Sequence, residues 1–225
     1  MSDQSGFSIE DIKRAARDVM SSGPDLREKL HALTVEALTR RQLAEQEIRE
    51  VLQAITEGVS LGAAERTEEV RGAIQNAMKG IDDALGNAAE AMQLAWSETS
   101  THAREFAEQD LQQGLDELKK LEAIFLETIQ RVGESAGSLV RQEMLALGEQ
   151  AERVGTDTGE RVRLLSETLR QRLRDSARQA GVSGRQAALE AGSRVAELAS
   201  RKLSGLAARI AAKAEQLKQH ASEAE

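Results

Sequence analysis

His31, His102 and His220 are the residues whose side chains titrate nearest neutrality, so they are the first place to look for acid–base or metal chemistry. They stand far apart among polar neighbours and lack the partner spacing of a zinc or catalytic site. They read as surface histidines. The acidic pairs Glu68-Glu69, Asp82-Asp83 and Asp116-Glu117 hold adjacent rather than facing carboxylates. Their surroundings offer no apolar pocket that would raise a pKa for proton transfer, so they read as a solvated face. GVSLG at 58–62 is glycine-rich but lacks the Lys-Ser/Thr that a phosphate loop requires. The absence of cysteine excludes disulfides and thiolate metal sites. No catalytic, cofactor-binding or metal-ligating residue is therefore assigned, and the chain is not expected to be an enzyme.

The arginine-rich stretch RVRLLSETLRQRLRDSARQ, at 161–179, could meet phosphate, but Glu167 and Asp175 dilute its charge. Readers of nucleic acid usually add aromatic residues, a recognisable motif or a stronger basic excess, so nucleic acid is not the expected partner. Charge is nevertheless uneven along the chain. Residues 1–160 carry 17 basic and 31 acidic side chains, net −14, whereas residues 161–225 carry 13 and 7, net +6. A basic end of this kind either meets an anionic surface or pairs with the acidic part of its own fold.

The elements that carry these residues are helical. Aromatics amount to 2% of the chain (Phe7, Trp96, Phe106 and Phe125), Pro24 is the single proline, and strand-like alternation is missing. Ser8, with Asp11 three residues on, approximates a capping box before Ile9, Ile12, Ala16 and Val19. Ser-Ser-Gly-Pro-Asp at 21–25 stops that helix and starts another, with Leu26, Leu30, Leu33 and Ala37 on one stripe. A break near Thr39–Gln42 leads into a third stripe of Ile48, Val51, Leu52 and Ile55.

From Gly58 the chain divides into fifteen blocks of eleven residues. The sixth position of each is apolar except at Gly184: Ala63, Ile74, Leu85, Trp96, Ala107, Leu118, Ile129, Val140 and onward. The second position, with Val59, Val70, Ile81, Met92 and Phe125, follows it for most of the run. Eleven residues in three turns is close to the natural period of an α-helix, so such a stripe stays on one face for many turns. Gly133–Gly137, Gly155–Gly159 and Gly181–Gly184 are the expected bends. Gly72, Gly80 and Gly86 weaken a helix otherwise clearly specified. Either close helix packing or a helix that orders only when its stripe is covered would account for them. Leu115–Ile129 is the densest apolar segment, expected to form a core or an oligomer seam.

The expected fold is all-α: short N-terminal helices over 1–57, long amphipathic helices with an eleven-residue repeat over 58–222, and a tail at 223–225. The long part would form a bundle or an extended hairpin. The stripe expected to meet a surface or partner consists of Val70, Ile74, Ile81, Leu85, Met92, Trp96, Leu118, Phe125 and Ile129. The period, the interspersed glycines, the low aromatic content and the lack of cysteine resemble the phasins of polyhydroxyalkanoate granules. They also resemble apolipoproteins and perilipin- and synuclein-like segments. The segment EGVSLGAAERTEEVRGAIQNAMKGIDDAL is similar to an uncharacterised bacterial all-helical family. The phasin-like resemblance implies a non-enzymatic coat or scaffold on a lipid or polymer granule surface. A self-associating bundle or coiled-coil module with a helical protein partner is the alternative. MSDQSGFSIED carries no secretory signal and no apolar run is long enough to span a bilayer, so the expected location is the cytoplasm, including a granule or membrane surface there.

Overall fold

The computed structural model describes residues 8–23, 25–41, 45–66, 69–102 and 108–179. The side chains of 96–102, 108–115, 117, 118, 169 and 172–179 lie outside that description. The described residues form seven helices and no strand: α1 (Ile9–Ser21), α2 (Leu26–Thr39), α3 (Glu45–Ala64), α4 (Val70–His102), α5 (Glu108–Ser135), α6 (Ser138–Val154) and α7 (Asp157–Gln179). The fold is all-α.

Local chemistry accounts for most helix ends. Ser8 caps α1 through a reciprocal pair: its hydroxyl accepts from the Asp11 amide at 3.2 Å, and the Asp11 carboxylate accepts from the Ser8 amide at 3.2 Å. The bends expected at Gly133–Gly137 and Gly155–Gly159 are the joints between α5 and α6 and between α6 and α7. Gly155 has φ 89° with an extended ψ of 169°, a conformation that only glycine adopts readily, and it ends α6. The third expected bend, Gly181–Gly184, lies outside the described residues.

Cross-helix ion pairs set the directions of the helices. Lys13 pairs with Glu57 at 2.7 Å, Arg17 with Glu65, and the Arg66 guanidinium donates to the Met20 carbonyl, so α1 and α3 run the same way. Arg27–Asp83 at 2.7 Å and His31–Asn87 at 2.8 Å do the same for α2 and α4. Lys120–Glu45 and Arg49–Glu127 align α3 with α5. Arg71–Glu143 at 3.4 Å and Arg161–Glu90 at 3.2 Å place α6 and then α7 along α4. The result is three stacked helical hairpins, α1–α2, α3–α4 and α5–α6/α7. Helices α1, α3 and α5 form one layer; α2, α4 and the broken rod α6/α7 form the other. This is the way helix pairs stack in α-solenoids, each hairpin burying its apolar face on the next.

Glycines lie where the hairpins approach most closely. A Cβ at Gly58 would collide with the Lys13 carbonyl and Ala16, one at Gly62 with Met20, and one at Gly80 with the Arg27 carbonyl. Two glycines therefore seat α1 on α3, and one seats α2 on α4. Gly86 faces the Arg161 side chain, whereas Gly72 faces open space. Close packing is thus the reason for Gly80 and Gly86, and Gly72 has no packing role.

Two features depart from the expectation. The boundary drawn between residues 57 and 58 falls inside α3, where Ile55 and Val59 are both fully buried. The chain also breaks between Ala64 and Val70, within the run expected to be continuous, and Glu69 takes a positive φ of 51°. Residues 65–69 carry no apolar side chain, so the buried stripe of α3 has nothing to continue it there.

Candidate functional site

Over its described side chains, the stripe expected to meet a surface or a partner faces inward. Val70, Ile74, Ile81, Leu85, Met92, Phe125 and Ile129, seven of its nine members, are all buried in the hydrophobic core. The side chains of Trp96 and Leu118 are outside the described residues. The physical reason is the position of α4. It touches α2, α3, α5, α6 and α7, so Ala84, Leu85, Ala88, Ala89, Ala91 and Met92 are nearly inaccessible around most of its circumference. A helix apolar on most sides belongs in the middle of a bundle rather than on its surface. The dense segment in α5 likewise sends Leu121, Ile124, Phe125 and Ile129 into the same core.

The polar groups gathered around α4 are the more unusual feature. Asp82, expected on a solvated face, is 8% exposed. Its Oδ2 accepts from the Asp157 amide at 2.9 Å, and its Oδ1 accepts from the Thr158 amide at 3.1 Å. The Thr158 hydroxyl donates to the Asp82 carbonyl at 2.8 Å. Thr156 completes the cap, its Oγ1 accepting from the Gly159 amide at 2.8 Å while donating to Glu122 at 2.9 Å. The first amides of α7 are thereby satisfied by one carboxylate from α4 and one hydroxyl oriented by α5. The carboxylate also sits at the positive end of the α7 dipole. Burial nonetheless raises the Asp82 pKa, outweighing the hydrogen bonds from Thr158 and Asp157 that favour its ionised form.

One turn further along α4, the Asn87 amide nitrogen lies 2.8 Å from His31 Nε2, and Arg161 Nη1 reaches Asn87 Oδ1 at 3.4 Å and Glu90 at 3.2 Å. His31 is half-buried in this network, not a surface histidine, and its burial lowers its pKa. Arg161, the first residue of the arginine-rich stretch, points at the bundle, while Arg163 pairs with Glu167 on the exposed side.

A cleft of about 280 Å3 opens beside the α6–α7 joint, with Met78, Phe125, Ile129 and Leu147 toward its floor. Val154, 81% exposed, and Lys79 lie on its rim. Asp82 and Asp157 also line it, so its charged groups are of both signs and select no ionic ligand. Among the described residues, no group of three or more His, Cys, Asp or Glu side chains could hold a metal ion. No described helix is long and apolar enough to cross a membrane.

A family profile covers residues 2–212. The chain belongs to DUF6781, a family of unknown function. No curated protein and no solved structure matches it. The resemblance to an uncharacterised all-helical family thus holds at the level of the family, and the match carries no link to phasins or apolipoproteins. For this DUF6781 member, function must be argued from the bundle itself.

Sequence reasoning placed the Thr-Asp-Thr joint correctly as a bend but did not find its partners. Asp82 and Thr158 are 76 residues apart, and no local signal distinguishes Asp82 from its neighbour Asp83, which pairs with Arg27.

Proposed function

We propose that the protein is a non-enzymatic helical interaction module whose eleven-residue apolar repeat is spent on its own stacked hairpins. What supports this reading is the burial of seven stripe residues, from Val70 to Ile129, against helices of the same chain. Such a bundle recognises a helical partner, or a second copy of itself, through its outer faces. Among the described side chains, the large apolar residues left exposed are Leu61, Leu94, Leu139, Val154 and Leu164. The phasin-like coat on a lipid or polymer granule is the second reading. It requires the hairpins to separate so that the stripe changes partner from protein to surface. Ala and Gly dilute that stripe, so affinity per turn would be modest and would accumulate only over length.

Circular dichroism distinguishes the two. As a self-contained module, the protein is strongly helical in buffer, melts cooperatively, and gains no helix on addition of anionic phosphatidylglycerol vesicles or polyhydroxybutyrate granules. Low helicity in buffer with a large gain on either surface would replace this reading with the coat. Light scattering on the isolated protein then decides between self-association and a separate partner.

A further inference from the structure

Helix α7 is attached differently from the helices it joins. α3 buries Ile48, Val51, Leu52, Ile55 and Val59 along one side. Over its described side chains, α7 buries one large apolar residue, Val162, and half-buries Leu165. Its other buried positions are Thr158 and Ser166, and the Ser166 hydroxyl has no hydrogen-bond partner. Over the described side chains, what holds α7 is mainly polar. Asp82 grips its first amides, Glu122 holds the Thr156 cap, and Arg161 lies over Gly86 to reach Asn87 and Glu90. Both ends of this attachment lie on residues of α4 and α5, while the joint behind it is a single glycine in a conformation open to few other residues.

Segments with few buried apolar contacts occupy the low end of the local stability scale and open before the rest. We infer that α7 is a detachable strap, released from the α4–α5 groove as a unit when the carboxylate clasp on its N-terminus is broken, while the first two hairpins stay folded. The hinge is Val154–Thr156. Following the register from Asp82 and Gly86 by three- and four-residue steps, the α4 line that α7 leaves uncovered runs through Ala89 and Gln93, beside the stripe residues Leu85 and Met92. Partial access to the stripe is thus built into one helix and does not require the whole bundle to unfold. What the opened groove is used for rests on the function proposed above; the opening itself does not.

Hydrogen exchange read by mass spectrometry on the full chain tests it. In Asp82→Ala, the amides of 158–171 are expected to exchange about tenfold faster than in the unmodified protein, with those of 48–59 in α3 unchanged. The milder Thr158→Val, which removes only the hydroxyl contact to the Asp82 carbonyl, should shift the same amides in the same direction by less. It also keeps the test available if Asp82→Ala does not fold. Because the chain has no cysteine, Gly86→Cys/Arg161→Cys can be added cleanly; oxidising that pair in the Asp82→Ala background should restore protection to α7 and reduction should remove it. The inference is overturned if α7 and α3 accelerate together, if neither variant alters α7, or if the oxidised crosslink restores nothing. Vesicle binding is not part of the readout, so failure of the coat or module readings leaves this outcome intact.

Discussion

The first two hairpins and the third are joined by different physics. Helix α1 meets α3, and α2 meets α4, backbone against backbone, at Gly58, Gly62 and Gly80. Dispersion and apolar burial dominate there, and ion pairs such as Lys13–Glu57 sit at the edge. The third hairpin meets α4 through a buried carboxylate, through Arg161, which reaches the same Asn87 that His31 of α2 holds, and through a cap shared with α5. Close contacts of the first kind tolerate almost no change of volume and are indifferent to pH. Polar clasps of the second kind tolerate volume changes better but respond to charge. One chain thus contains a rigid end and a responsive end, although both are built from amphipathic helices.

The sharpest way to break this contrast is to cut the core that both halves share. Leu85→Ala removes a side chain buried completely at the centre of α4 and should cost about 2–5 kcal/mol in a denaturant melt. A loss below about 1 kcal/mol would mean that α4 is not the central helix. Next comes the glycine contact. Gly80→Ala sets a methyl group against the Arg27 carbonyl, and the backbone cannot yield as a flexible side chain would. It should destabilise by roughly 1–3 kcal/mol even though alanine is the better helix former. A stabilised Gly80→Ala would show that α2 does not rest on α4 there.

The responsive end should show itself in pH. His31 faces Arg27 and Glu28 from its own helix, Asp83 from α4 and Arg161 from α7, and burial places its folded pKa below the unfolded value of 6.5. The unfolded chain then binds more protons through that interval, so stability is complete above about 6.5 and falls as pH drops through the folded pKa. In His31→Gln the slope across that window should flatten in urea melts; an unchanged slope would remove His31 from the clasp. Asp82 acts with the opposite sign. Its folded pKa is raised above 3.8, so its contribution falls as pH rises through that window. The smallest effect belongs to Gly72→Ala. Nothing lies near a Cβ there, and the substitution should stabilise by about 0.5–1 kcal/mol through helix propensity alone, which a thermal melt can resolve. Destabilisation at that position would reveal a partner for its face.

Much of this was legible in the residues. The Ser8–Asp11 cap, the stop after Ser21, the break after Thr39 and the joints at 136–137 and 155–156 all depend on neighbours within a few positions. The apolar period correctly marked Ile74, Ile81, Leu85, Phe125 and Ile129 as residues that must leave water. It could not say what would cover them. Periodicity records that a face is apolar, and a lipid, a granule, a second molecule or the next hairpin satisfies it equally well. The carboxylate clasp was illegible for a related reason, since Asp82 and Asp83 are chemically identical and adjacent, and only the 100° turn between them sends one to α7 and the other to Arg27.

What the sequence by itself determined is therefore helix, most of its ends and which side is apolar, because those are one-dimensional properties set by bonds and neighbours. The tertiary structure decided the rest: that the stripe faces inward, that α3 runs through residue 58, and that an aspartate 75 residues away from α7 caps it. These follow from which hairpin lies on which. That choice is made by volume and charge complementarity between segments that the chain brings together only on folding.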